Sequence, residues 1–194
     1  MRIALINKKG GVGKTPFAFS LAKDLELYLQ SNDNSCIEKI YPGKAKISNK
    51  VKAIDDCVFD FGGFAAAGVL DVIGQSDCVI VPCTAVFNSV LRTDETIKEI
   101  LPFNKNIILL ATNFKDAREE EILRAELDKR YPNFERFYFK QSKIVNNSIN
   151  YGMSFSELYN ESPIAKRSYS NFMAEYKKLI KTIKKFARKE EKDG

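Results

Sequence analysis

Two residues near the start of the chain, Lys14 and Thr15, have types and surroundings suited to phosphate chemistry. They close the run Asn7-Lys8-Lys9-Gly10-Gly11-Val12-Gly13-Lys14-Thr15, which follows the apolar stretch Ile3-Ala4-Leu5-Ile6. A buried-strand pattern thus passes through a glycine-rich turn directly into a helical pattern, the context a phosphate-binding loop requires. Gly10, Gly11 and Gly13 let the backbone curl until successive N–H groups, that of Val12 among them, face one anion. The helix that begins near Gly13 adds unpaired N–H groups and the positive end of its dipole. A lysine at position 14 reaches β- and γ-phosphates, and the Thr15 hydroxyl can hold Mg²⁺. Pro16 follows in the first helical turn, where proline is tolerated, but it brings no N–H to the α-phosphate.

The general pattern G-x-x-x-x-G-K-S/T asks for a glycine where this chain has Lys8, and Lys9 adds a second cation beside the glycines. This arrangement resembles the deviant Walker A motif, K-G-G-x-G-K-S/T, of the ParA/MinD family of ATPases. The resemblance implies that Lys9 crosses a dimer interface to the phosphates of the ATP held by a second subunit. The residues themselves show two cations beside one anion site.

Downstream elements must place the remaining groups. Phe17 to Leu25 reads as a helix with one buried face, and Glu26 to Gln30 as a second strand ending in Ser31-Asn32-Asp33-Asn34-Ser35. The resemblance implies a D-x-D-P-Q segment here whose second aspartate orients the attacking water. On spacing that aspartate is Asp33, with Ser31 in the place of the first and Asn34 in that of proline. A rival register puts Tyr41-Pro42-Gly43 there and supplies no carboxylate; Asp33 is then a turn or cap residue. A short strand is possible at Ala45-Lys46-Ile47. Cys57-Val58-Phe59 is a compact buried strand leading into Asp60-Phe61-Gly62-Gly63. An aspartate at the carboxyl end of a parallel strand suits a Walker B position, meeting Mg²⁺ through water, and the Gly62 or Gly63 N–H can approach a γ-phosphate.

Ala65 to Gly74 reads as a small-residue helix, and Asp77 to Pro82 as a strand stopped by proline. Phe87 to Leu101 is helical, with Val90, Thr93, Ile97 and Leu101 on one face. Asn106 to Thr112 is a buried strand ending at Asn113. There the resemblance implies an adenine contact, and turn chemistry is the competing reading. Ala117 to Arg130 is a charge-rich helix. Phe134 to Phe139 is an aromatic strand better suited to a core than to base stacking. The segment from Ile144 to Gly152, then Ser154-Phe155-Ser156-Glu157, resembles the family's C-terminal stretch. A long helix opens at Pro163 and runs to about Arg188, with Tyr169, Phe172, Met173, Tyr176, Leu179, Ile180, Ile183 and Phe186 as its apolar stripe. Lys177, Lys178, Lys181, Lys184, Lys185, Arg188 and Lys189 cover the rest.

Apolar strands alternating with helices predict an α/β, P-loop NTPase fold, a mostly parallel sheet with helices on both faces. The 194 residues suit one ATPase domain spanning 1–194. Histidine is absent, which excludes Ser-His-Asp and Cys-His catalysis and any histidine-ligated zinc. Cys36, Cys57, Cys78 and Cys83 form no C-x-x-C pair and read as reduced thiols of a cytoplasmic protein. The apolar runs fall short of a membrane span, and no signal-peptide pattern is present. Net charge is +6, and all of it sits at one end. Residues 166–194 hold 10 basic and 4 acidic side chains, while the first 165 residues hold 21 of each.

That asymmetry points to a polyanion touched by the C-terminal helix. With the resemblance, it implies a ParA-like partition ATPase that uses ATP and Mg²⁺. Such a protein forms a homodimer bridged by ATP, coats DNA on the nucleoid without sequence preference, and hydrolyses ATP when a ParB-like adaptor binds. Lys177, Lys178, Lys181, Lys184, Lys185 and Arg188 are the candidate DNA contacts, against the plainer reading of a solvated helix face. The alternative is a MinD-like protein that lays the same basic helix on anionic lipid. A metabolic P-loop enzyme is the third reading, and no second-substrate pocket is evident for it.

Overall fold

The computed structural model describes residues 1–64 and 66–193, with side chains through Arg188; Ala65 and the Lys189 side chain lie outside the described residues. Among the described residues, seven strands form one sheet: β1 (Arg2–Ile6), β2 (Tyr28–Ser31), β3 (Ala45–Ile47), β4 (Cys57–Phe61), β5 (Cys78–Cys83), β6 (Ile107–Phe114) and β7 (Glu135–Lys140). The order is β3-β2-β4-β1-β5-β6-β7, and every neighbouring pair is parallel. The chain proceeds from β1 to one side of the sheet and later returns to the other. The switch point, where open α/β sheets bind ligands at their carboxyl ends, is therefore beside β1. The glycine-rich loop leaves the sheet there.

Helices cover both faces. On one lie α1 (Lys14–Asp24), α2 (Ile37–Ile40), α6 (Lys143–Tyr151), α7 (Phe155–Asn160) and α8 (Pro163–Asp193). On the other lie α3 (Val69–Gly74), α4 (Phe87–Ile100) and α5 (Ala117–Arg130). Burial on both faces explains the uniformly apolar strands: Ile3 to Ile6 and Cys78 to Cys83 are all buried. An aromatic cluster locks the first layer. Phe17 meets Phe139 at 4.8 Å and Phe155 at 5.1 Å between ring centroids, and Phe155 meets Phe172 at 5.0 Å and Tyr176 at 5.1 Å. Edge-to-face pairs of this kind contribute about 0.5–1.5 kcal/mol each beyond their buried area. The long helix α8 is thereby keyed onto α1, the helix that follows the phosphate loop.

Several boundaries differ from the sequence expectation, each for a local reason. The first helix begins at Lys14, directly after Gly13 (φ 91°) as the loop pattern predicts, and ends at Asp24 with Leu25 as its C-cap. The second strand begins at Tyr28, not Glu26. The Leu27 N–H donates to Ala22 O at 2.8 Å and Glu26 sits at φ 58°, a left-handed helix termination that occupies those residues. The helix expected from Ala65 starts only at Val69. Val51 N–H donates to Ala67 O, and Gly68 at φ 91° packs so closely on the Val51 carbonyl that no Cβ would fit there. Leu101 lies outside α4 and is exposed; Ile100 fills the buried place. Pro82 does not stop β5. Val79 N–H points at Asn106 O on the β6 side, so the missing donor of Pro82 faces β1, whose ladder with β5 already ends at Ile80.

Candidate functional site

The loop is held by residues far away in sequence. Asn7, fully buried at the end of β1, donates from Nδ2 to Pro82 O at 2.7 Å and to Thr93 Oγ1 at 2.8 Å. Its Oδ1 accepts from the Lys9 N–H at 2.8 Å. Thr96 Oγ1 accepts from the Lys8 N–H, and Thr112 donates to the Val12 carbonyl at 2.9 Å. Both ends of the glycine-rich turn are thus fixed from α4 and β6 before any ligand arrives. Asn7 and Thr112 escape sequence reasoning because their partners lie 75 to 100 residues away.

Inside this frame Lys14 is 8% exposed and its Nζ donates to Lys9 O at 3.2 Å. Burial holds its pKa below the usual lysine value, opposed by the negative charges of Asp60 and Asp33. Thr15 Oγ1 donates to Asp60 Oδ2 at 2.7 Å. The other Asp60 oxygen, Oδ1, is buried with no hydrogen-bond partner, and burial pushes this carboxyl up to about 6 against the Thr15 hydrogen bond and the Lys14 charge. An orphaned carboxylate oxygen beside a threonine hydroxyl and a phosphate loop is the donor set a hydrated Mg²⁺ requires, so Thr15 and Asp60 fit that ion.

Asp60 also yields a stability prediction. Its folded pKa of about 6 lies above the ordinary 3.8, so above pH 6 the folded state carries the cost of a buried charge. That cost fades as pH falls from about 6 toward 3.8. Each pKa unit corresponds to about 1.4 kcal/mol, and each kcal/mol to about 2–4 °C in a chain of this size. Asp60→Asn keeps an acceptor for Thr15 but removes the counter-charge of Lys14. The nucleotide-free variant should melt roughly 4–8 °C above wild type at pH 7.5, with the gain shrinking toward zero at pH 4.5. Scanning calorimetry at the two pH values checks this; a pH-independent gain contradicts it.

A cleft of about 650 Å³ opens over the loop, lined by residues 10–17, Asp33, Thr112 and Asn113, and the segments 139–143 and 145–146. Asp33 is exposed and follows β2 by two residues, its backbone N–H donating to Ser31 Oγ at 3.1 Å. A Cβ added to Gly62 would meet Asp33 Oδ2 at 2.9 Å, so the carboxylate leans on the Asp60-Phe61-Gly62-Gly63 turn. The rival register fails on position: Tyr41 is buried in the core and donates to Leu27 O, at the amino end of β2. Gly62 is near the site, but its N–H already donates to Asn32 Oδ1 at 2.7 Å. Asn113 lies within β6, not after it, at a bulge where its φ is 59° and its side chain lines the cleft. Asparagine tolerates that left-handed backbone better than most residues. Lys140, Gln141, Ser142, Lys143 and Asn146 complete this end of the cleft and carry no motif that sequence reasoning could find.

The six candidate DNA contacts from Lys177 to Arg188 are all exposed, and none of them lines the cleft. No helix among the described residues is long and apolar enough to cross a membrane.

The fold as a whole is shared with solved structures. McdA from Cyanothece superposes with a TM-score of 0.65 at 15% identity, covering 88% of this chain and 98% of that one. MinD from Aquifex aeolicus gives 0.62 at 12% identity over 96% of both chains. A plasmid partition protein from Borrelia burgdorferi, solved with AMPPNP, gives 0.59 at 18% identity, covering 92% and 98%. The fold is that of the ParA/MinD ATPases. At the level of sequence, no protein-family profile and no curated protein matches the chain. The agreement with the ParA/MinD fold is therefore one of architecture.

Pro16 leaves the loop one backbone donor short. It occupies the third helical position, in the first turn whose N–H groups have no intrahelical partner, so it removes no helix hydrogen bond. The residue after the magnesium-binding Thr or Ser commonly gives its N–H to the α-phosphate, and Pro16 has none. A hydrogen bond to a charged group contributes about 1.5–3 kcal/mol, whereas proline's rigidity contributes less than about 1 kcal/mol. Pro16→Thr should therefore bind ADP and ATP about tenfold more tightly, both carrying the α-phosphate. Calorimetric titration checks this; equal or weaker ADP binding shows that the absent donor has no effect here.

Proposed function

We propose that this chain is a ParA-like partition ATPase. It works as one ATPase domain in the cytoplasm, on the nucleoid, and moves a plasmid or chromosome by an ATP-dependent dimer cycle. Phosphoryl transfer of this kind rests on positioning and charge stabilisation. Lys14 holds the β- and γ-phosphates from beneath the loop, and Gly10 to Thr15 supply backbone donors. Thr15 and Asp60 hold Mg²⁺, whose charge offsets that of the phosphates. Asp33, leaning on Gly62, orients the attacking water. Asn113 faces the base. Lys9 is half-buried, and among the described residues its amine has no hydrogen bond or ion pair, which leaves it available to a second subunit.

The observation that carries the DNA part of this reading is the way α8 divides its faces. Tyr176, Leu179 and Ile183 are 0% exposed against the domain, while Lys177, Lys178, Lys181, Lys184, Lys185 and Arg188 face outward. A helix that lies in a lipid surface inserts its apolar face. Through Ile183 the apolar face of α8 is already occupied, so a phosphate-tracking role suits it better than the MinD-like alternative. Co-sedimentation with DNA and with anionic liposomes separates the two. Pelleting with DNA in the presence of ATP supports partition, and pelleting with liposomes alone supports membrane positioning. A ParB-like adaptor completes the cycle by triggering hydrolysis.

A further inference from the structure

The Gly62 amide, which follows the Walker B-like Asp60 and in the sequence reading approaches a γ-phosphate, is already engaged. Gly62 N–H donates to Asn32 Oδ1 at 2.7 Å, and Asn32 Nδ2 donates to Gly63 O at 3.3 Å. The Asn32 side chain therefore bridges the end of β2 to the turn after Asp60, a separation of 30 residues. Its own N–H donates to Asp60 O, so the residue is anchored on the same strand that presents the metal-binding carboxylate. Gly63 at φ 152° completes a turn that side chains rarely adopt. The backbone pairing of β2 with β4 does not require this side chain. The bridge is an addition to the sheet, made at its carboxyl end.

We infer that Asn32 is a nucleotide-state switch residue: its side-chain oxygen accepts from the Gly62 N–H and competes for it with the γ-phosphate, which displaces it. This rests on the ATPase reading above. An amide proton makes one good hydrogen bond, so a phosphate oxygen and Asn32 Oδ1 exclude each other at Gly62. Displacement also leaves Gly63 O without its Asn32 partner and frees the Asp60–Gly63 turn from β2. ADP lacks the competing oxygen and leaves the bridge closed. The chain thus distinguishes triphosphate from diphosphate by exchanging the acceptor on one amide. Asn32 is a positioning residue, acting through Gly62 and Gly63.

The test is the ratio of affinities for AMPPNP and ADP, measured by calorimetry with Mg²⁺ on wild type, Asn32→Ala and Asn32→Asp. Asn32→Ala removes the competitor, so AMPPNP should bind roughly three- to tenfold more tightly while ADP is unchanged. Asn32→Asp keeps an acceptor and adds a negative charge, so AMPPNP should weaken and ADP change less. In wild type, the ¹⁵N resonance of Gly62 should move with AMPPNP and stay in place with ADP. Equal effects on both nucleotides, or an unmoved Gly62 resonance with AMPPNP bound, overturn the inference and leave the ATPase reading standing. Failure of wild type to bind either nucleotide overturns both.

Discussion

Lys14→Ala should abolish detectable binding of ATP and ADP alike, while Lys9→Ala leaves binding within a few-fold and removes the ATP-dependent dimer. The difference follows from where the two amines lie. Lys14 is buried under the loop, 3.2 Å from Lys9 O and within the field of Asp60 and Asp33. Asp60 and Asp33 offset part of the cost of burying its charge, and bound phosphates would offset more. Each charge-assisted hydrogen bond contributes about 1.5–3 kcal/mol, so removing two of them lowers affinity by a hundredfold or more. Lys9 contributes its backbone to the loop, through the bond to Asn7, and among the described residues its amine makes no hydrogen bond or ion pair. Truncating it leaves the loop frame intact. Titration calorimetry reads the first effect and sedimentation velocity with ATP the second. Lys9→Ala dimerising as well as wild type contradicts the role proposed for its amine.

The second large effect is expected on DNA. Neutralising Lys181, Lys184 and Lys185 together should weaken binding to every sequence alike, by more than tenfold near physiological salt. The physical basis is counterion release. Each lysine–phosphate pair removed lowers the slope of log affinity against log salt by about 0.9, so removing three lowers it by about 2.7. All three lysines are exposed, and among the described residues none forms an ion pair within the chain, unlike Lys178 with Glu175. The triple variant should therefore melt with wild type, which separates a change of surface charge from a change of structure. Unchanged affinity and salt slope in a protein of unchanged stability reject this face of α8 as the DNA surface.

The sheet and the phosphate loop were the most legible parts of the sequence, because both depend on local pattern. Ile3 to Ile6 running into Gly10-Gly11-Val12-Gly13-Lys14-Thr15 specifies strand, turn and helix within fifteen residues. The apolar stripe of α8 was equally legible, since periodicity alone marks Phe172, Met173, Tyr176, Leu179 and Ile183. Boundaries set by backbone conformation were not. Glu26 at φ 58° ends α1 in a conformation usually given to glycine, so its side chain carried no signal. The site was half legible for the same reason. Thr15 and Asp60 lie 45 residues apart, yet each follows or ends a strand, and parallel topology brings such positions together. Asn7, Asn32 and Thr112 sit beside recognisable motifs but act through partners that only the folded chain brings near.

If the chain works as the partition ATPase proposed above, it binds DNA more strongly with ATP than with ADP. Fluorescence anisotropy of a labelled random duplex, titrated with protein at fixed salt and Mg²⁺, compares ATP, ADP and no nucleotide in one experiment. In this structure α8 is keyed onto α1 through Phe17, Phe155, Phe172 and Tyr176, and its basic face is already formed. In the proposed cycle, dimerisation would double the phosphate contacts without reshaping that surface. Binding should be at least tenfold tighter with ATP than with ADP or without nucleotide, and Lys9→Ala should erase that gain. Affinity equal in all three conditions contradicts the partition reading.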